Sequence, residues 1–227
     1  MSVSVEFSKY AKEYARYNII QDKVATHLLS HLKTQPTRVL DLGCGRGALY
    51  EKIRWQLERF VGVDFAQGML ELHPKGENVA CFYGDFNDPK LFEMLQQEQF
   101  DYILSSSALQ WAKDINKVFE AIATMQTPFS LALFTSNTFK TLHETANIQS
   151  PLRDAQTVIE AQKNYLDAHF EIINYTLEFE NTQDIFRYIK RSGVSGGRNV
   201  LSFKQMKHLM HNYPKRYLEF EVVFIWS

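Results

Sequence analysis

Arg38-Val39-Leu40-Asp41-Leu42-Gly43-Cys44-Gly45-Arg46-Gly47 is the stretch whose reading decides the fold. Its first half is a short apolar run that enters a glycine cluster, the pattern of a buried strand ending in a tight turn. Glycine lets the backbone turn sharply and approach a ligand without a Cβ clash. Residues 48–57 read as the next helix. The N-terminus of such a helix would offer free N–H groups to a negative charge.

Working outward, the alternation of strand and helix continues. Residues 60–64 form a second apolar run ending on Asp64, and 67–72 a short helix. Strand-like runs at 79–83, 100–105 and 129–135 alternate with helical patterns at 89–97 and 115–125. Such alternation predicts a doubly wound α/β sheet, mostly parallel, that binds ligands at the carboxyl ends of its strands. Upstream, 7–33 reads as helix, with Tyr10, Tyr14, Tyr17, Ile20, Val24, Leu28 and Leu32 at three-to-four spacing. Downstream, 140–166 is mostly helical and broken at Ser150-Pro151, 170–179 alternates with strand period, and 184–191 is helical. Residues 192–198 form a glycine-containing loop. Ser202-Phe203-Lys204-Gln205 opens a helix with a capping box, and 218–226 is a final strand. The expectation is one domain over 1–227, with a helical lid at 1–33, a ligand-binding core at 37–136 and acceptor-side elements at 137–227.

The chain has 227 residues, a length that suits one domain with a full core. A formal net charge of -1 gives no support for a nucleic-acid partner. The N-terminal residues carry no apolar signal core, and no apolar run approaches the roughly 20 residues that span a bilayer. A cytoplasmic protein without a membrane or nucleic-acid partner is expected. Two cysteines, Cys44 and Cys81, are too few for a disulfide framework, so each reads as a small buried thiol and no metal is expected. His27 and His31, and His208 and His211, have spacings that can bind metal. No third ligand is evident for either, and they read as surface histidines.

The glycine spacing discriminates between ligands. A dinucleotide fingerprint is G-x-G-x-x-G, whereas here Gly47 gives G-x-G-x-G after Asp41. Asp64, about 20 residues on at the end of the next strand, can accept hydrogen bonds from ribose hydroxyls. Gly84-Asp85-Phe86 follows the third strand, and Ser105 ends the fourth. The whole block resembles the class I methyltransferases that use S-adenosylmethionine (SAM). That resemblance implies a Rossmann-like seven-stranded sheet with a helical insertion after the fifth strand. It implies that Asp41, Gly43, Cys44, Gly45 and Gly47 face the methionine part of SAM and that Asp64 meets its ribose. Asp85 would meet the adenine amine, Phe86 would pack on the ring and Ser105 would lie near the reacting methyl. Phe65 and Met69 complete the cofactor set.

A closer resemblance runs nearly end to end, to the malonyl-acyl-carrier-protein O-methyltransferases of biotin synthesis. It rests on Phe7-Ser8-Lys9 with Tyr14 and Gln21, on Ser106-Ser107-Ala108-Leu109-Gln110-Trp111, and on Phe134-Thr135 with Thr141-Leu142-His143-Glu144. Arg187-Tyr188-Ile189-Lys190-Arg191-Ser192-Gly193 adds to it. Arg46 departs from it, standing where Thr or Pro is common. The resemblance implies methylation of the free carboxylate of a malonyl thioester, carried by acyl-carrier protein or by coenzyme A. Another small carboxylic acid or metabolite is the alternative acceptor. A malonyl carboxylate is already ionised at neutral pH, so no general acid or base is required, and alignment and exclusion of water would do the work. An anionic acceptor needs a cation, and Arg153, Arg187, Lys190 and Arg198 are the candidates. Arg187, Lys190 and Arg191 could equally form a basic edge for an acidic carrier protein. Tyr14 and Gln21 are expected over the cofactor, and Tyr10, Gln110 and Trp111 around the acceptor.

Overall fold

A computed structural model describes residues 18–191 and 202–227. The chain runs α1 (Ile19–Ser30), β1 (Arg38–Leu42), β2 (Arg59–Asp64), α2 (Gln67–Leu70), β3 (Val79–Tyr83), α3 (Pro89–Leu95), β4 (Tyr102–Ser106), α4 (Ile115–Thr124) and β5 (Phe129–Phe134). It continues through α5 (Lys140–Ala146), α6 (Ala155–Tyr165), β6 (His169–Glu178), α7 (Thr182–Arg191), α8 (Phe203–Asn212) and β7 (Tyr217–Trp226). The seven strands form one sheet in the order β3-β2-β1-β4-β5-β7-β6. β1 to β5 are parallel, and β7 pairs antiparallel with both β5 and β6. Strand order reverses between β1 and β4, which opens a crevice at their carboxyl ends.

The central strands are covered on both faces, as parallel strands are. Alternate residues point to opposite sides. Leu40, Leu42, Val61, Val63 and Ile103 join one core with α3, α4 and α6. Val39, Phe60, Leu104 and Phe224 join the other with α1, α5, α7 and α8. Each helix offers an apolar stripe to its layer. In α4 that stripe is Ile115, Val118, Phe119 and Ile122, and the wholly buried Phe119 contributes about 2 kcal/mol by area. Side-chain caps start several helices. Asp88 accepts from the Lys90 N–H ahead of Pro89, Asp114 from Asn116, and Asp154 from Thr157. Ser202 and Gln205 form the capping box expected of them.

Two expectations need correction. Residues 48–57 do not form a helix. A single 3₁₀ turn at Tyr50–Lys52 is followed by irregular chain with a bend at Trp55. Leu49, Ile53 and Leu57 are all buried, and their four-residue spacing suits a helix. Trp55, between Ile53 and Leu57, donates its indole N–H to the Pro36 carbonyl and ties this irregular segment down. The described part of the 1–33 segment is more than a lid, since Asn18 and Gln21 reach the cavity while the rest packs into the sheet's helical layer. α1 buries Ile20, Val24, Ala25 and Leu28 against the sheet as a full member of its helical layer. Tyr10 and Tyr14 lie outside the described residues, as does Arg198.

Candidate functional site

The crevice at the reversal of strand order holds a cavity of about 240 Å³. Three loops leaving the carboxyl ends of β1, β2 and β4 build it. The first brings Asp41, Gly43, Cys44, Gly45, Arg46, Ala48 and Leu49, the second Asp64, Phe65 and Met69, and the third Ser106, Ser107, Ala108 and Trp111. Asn18 and Gln21 close it from the start of α1, and Glu51 from the 3₁₀ turn.

The glycine loop is held to β2 by backbone and side chain. Gly43 and Cys44 N–H both donate to the Val63 carbonyl, at 2.7 and 3.0 Å. The Gly45 N–H donates to Asp64 Oδ2 at 2.8 Å, and the Ala66 N–H to Asp64 Oδ1 at 2.8 Å. The three glycines have distinct roles. Gly43, at φ +81°, approaches Ala108 so closely that a Cβ would stand 2.1 Å from that residue's own. Gly47, at φ +91°, is packed against Pro74 and His73 rather than against the cavity. Gly45, at φ +53°, has no atom of the described residues within 4 Å of where a Cβ would be, and it lines the cavity.

Polar atoms in this cavity lack partners to a degree that needs an explanation. Gln21 Oε1, Asp41 Oδ1, Arg46 Nε and Nη1, Ser107 Oγ and Trp111 Nε1 are all buried with no hydrogen-bond partner among the described residues. A buried group left unpaired costs about 1–3 kcal/mol, so five such residues around one cavity mark a place for a polar ligand with donors and acceptors. Ser107 also holds φ +59°, a backbone strain of the kind concentrated at functional sites. The carboxyls respond to burial. Asp41 is 1% exposed and its pKa is pushed up to about 8, desolvation outweighing the His73 side chain. Asp64 is 7% exposed and rises to about 6, desolvation outweighing the N–H groups of Ala66 and Gly45.

Of the residues expected from sequence, Gln21, Asp41, Gly43, Cys44, Gly45, Asp64, Phe65, Met69 and Trp111 meet at the cavity. Others do not line it. Ser105 donates its hydroxyl to the Leu42 carbonyl inside the sheet, and its neighbours Ser106 and Ser107 reach the cavity instead. Asp85 Oδ1 accepts from the backbone and side chain of Asn87, and Phe86 is buried in the core beside Leu91. Gln110 Nε2 donates to the Ser107 carbonyl, shaping the loop from behind.

The cationic candidates need revision as well. Arg153 spends its guanidinium on the carbonyls of Gln110, Ala112 and Lys113, so it holds the Trp111 turn rather than a ligand. Arg187 is 54% exposed on α7 and pairs with Asp184. Lys190 belongs to α7 as well. Among the described residues the cation lining the cavity is Arg46, which the sequence pattern marked only as a departure from the family. No described helix is long and apolar enough to cross a membrane.

Residues 39–128 match the model of a methyltransferase domain. The chain is 26% identical over 214 residues to the malonyl-[acyl-carrier protein] O-methyltransferase of Bacillus cytotoxicus, covering 83% of this chain and 74% of that one. It is 24% identical over 235 residues to the enzyme of the same name from Anoxybacillus flavithermus, covering 94% and 88%. Among solved structures, phosphoethanolamine N-methyltransferase 2 of Haemonchus contortus, bound to SAM, shares the fold with a TM-score of 0.55. Identity is 16%, over 89% of this chain and 51% of that one.

Proposed function

We propose that this chain, a SAM-dependent methyltransferase of class I, takes as its acceptor the free carboxylate of a malonyl thioester on an acyl-carrier protein. The product would be the methyl ester used in biotin synthesis. The names of the two relatives support this reading. The observation that carries it is Arg46, whose guanidinium nitrogens Nε and Nη1 are buried and unpaired at the cavity. A cation left unpaired there would be matched by an anionic acceptor, and Arg can hold one carboxylate oxygen while the other stays free to attack.

The residues gathered at the cavity fit SAM. Asp64 at the end of β2 suits the ribose diol, because each of its oxygens keeps a lone pair beyond the backbone N–H it already accepts. Asp41 Oδ1, unpaired beside the glycine loop, suits the ammonium of the methionine part. Phe65 and Met69 supply apolar walls, and Gly45 leaves room for close approach. Bound SAM would supply an electrophilic methyl group on a sulfonium, which the carboxylate oxygen can take up without any proton transfer. Trp111 and the walls exclude water and align oxygen, methyl carbon and sulfur, which is where the rate would come from. Arg187, exposed on α7, together with Lys190 and Arg191 of the same helix would form a basic edge for an acidic carrier.

The test is incubation with labelled SAM and malonyl-acyl-carrier protein, with malonyl-CoA, succinyl and acetyl thioesters as further arms. A methyl ester on the malonyl carrier is the expected product. Labelling of the succinyl thioester alone, or of none, overturns the acceptor. Arg46→Ala is expected to raise the acceptor KM by about tenfold or more with SAM affinity kept. A loss of SAM affinity instead would assign Arg46 to the cofactor's carboxylate.

A further inference from the structure

Beside the cavity, three side chains from separate elements converge. Cys44 leaves the glycine loop, Cys81 stands in the middle of β3, and His73 follows α2. One ligand atom from each lies within 4.8 Å of the other two. Two glycines keep the space around them clear. A Cβ on Gly62 would stand 2.8 Å from Cys44 Sγ and 3.0 Å from Cys81 Sγ, and one on Gly47 would stand 2.9 Å from His73 Nε2. The His73 ring is fixed by a contact of 2.9 Å between Nδ1 and the Pro74 carbonyl. That bond puts the proton on Nδ1 and leaves Nε2 with its lone pair directed into the cluster. Nε2 is buried, and the side chain it faces is the Cys81 thiol.

We propose that Cys44, His73 and Cys81 form a zinc site that anchors the glycine loop to β3 and to the turn after α2. Two thiolates and one imidazole are the soft and borderline donors that zinc selects. Around a tetrahedral zinc, two sulfurs stand roughly 3.8 Å apart, so the donors need to close by about 1 Å at most. A backbone carbonyl behind the metal-binding imidazole is the usual outer partner of such a ligand. Cys81 is the half-buried member of the set, so a water could complete the fourth position from its side. The site has a structural reason to exist. The glycine loop is followed by a 3₁₀ turn of three residues and not by a helix, so it lacks the support a helix would give. The other gathered set, His27, His31 and Glu171, already has both Nε2 atoms hydrogen-bonded to one carboxylate oxygen, at 2.6 and 2.9 Å.

The test reads metal without SAM or acceptor, so it stands or falls apart from the acceptor assignment. Protein purified without chelator is expected to carry about one zinc per chain by elemental analysis, and its Tm should fall when the zinc is stripped. The cobalt(II)-substituted protein should show a thiolate-to-cobalt charge-transfer band. His73→Ala and Cys81→Ser should each lower metal content on the order of tenfold, with far-UV circular dichroism confirming the fold. If either variant fails to fold, the cobalt spectrum of the unaltered chain decides alone. Metal-free protein that takes up no zinc, a cobalt spectrum without the thiolate band, undiminished metal in folded variants, or a Cys44–Cys81 disulfide in freshly purified protein would each overturn the proposal.

Discussion

The Gly45 N–H donates to Asp64 Oδ2 at 2.8 Å, so the glycine loop after β1 and the carboxylate that ends β2 move as one unit. Two loops of a ligand site are thereby positioned against each other before any ligand arrives. The carboxylate is buried to do this, and burial raises its pKa.

That burial sets a pH dependence. Folding raises the pKa of Asp64 to about 6 and of Asp41 to about 8, in both cases chiefly through desolvation. Unfolded carboxyls titrate near 4, so the folded state binds these protons more tightly. Their contribution to stability is therefore fullest below about pH 4 and is lost as pH rises through about 6 and then 8. SAM would supply donors that favour the ionised forms, so its binding should strengthen over the same window. The Tm increase on adding SAM is expected to be larger near pH 8.5 than near pH 6. A shift that does not vary with pH would mean that neither carboxylate meets the ligand.

Gly45 and Gly47 separate ligand contact from packing. Gly47→Ala would place a Cβ 2.7 Å from Pro74 and 2.9 Å from His73 at φ +91°, and should cost about 2 kcal/mol or more in stability. Gly45→Ala meets no atom of the described residues within 4 Å and carries the strain of φ +53°, about 1 kcal/mol. Its added methyl instead enters the ligand's space, and SAM affinity should fall about tenfold or more. Thermal unfolding and calorimetric titration of both variants check this. Equal losses of stability and affinity in the two would erase the distinction.

Arg153 should behave as a positioning residue. Its guanidinium spans the carbonyls of Gln110, Ala112 and Lys113, which hold the turn bearing Trp111. Arg153→Ala is expected to lower stability by about 1–3 kcal/mol and to raise the acceptor KM modestly, leaving SAM affinity intact. Arg153→Lys keeps the charge without the planar fork and should restore little of the stability. An Arg153→Ala protein of full stability with a much raised acceptor KM would return Arg153 to the role of carboxylate clamp.

The strands were legible because they are buried on both faces, and runs such as Leu131-Ala132-Leu133-Phe134 have little other use. Asp41, Gly45 and Asp64 were legible for a different reason, since strand ends place them within a fixed number of residues of each other. Residues 48–57 misled because Leu49, Ile53 and Leu57 satisfy a helical period and yet are buried from a 3₁₀ turn and irregular chain. Ser105 was one residue early, a difference that on a strand reverses the direction of the side chain. Arg46 was read by its neighbours' pattern rather than by its charge. The gathering of Cys44, His73 and Cys81, and of His27 and His31 with a glutamate 140 residues beyond His31, depends on strand pairing that no local spacing records.

β7 has neighbours that both precede it in the chain, since it enters between β5 and β6. Until it is seated, β5 offers an open edge made of Phe129-Ser130-Leu131-Ala132-Leu133-Phe134, and β6 has no partner among the described strands. The sheet is therefore completed late, by docking a ten-residue antiparallel pairing onto an apolar edge that waits for it. Chains interrupted after β5 would present that edge to one another, and association through it would compete with folding.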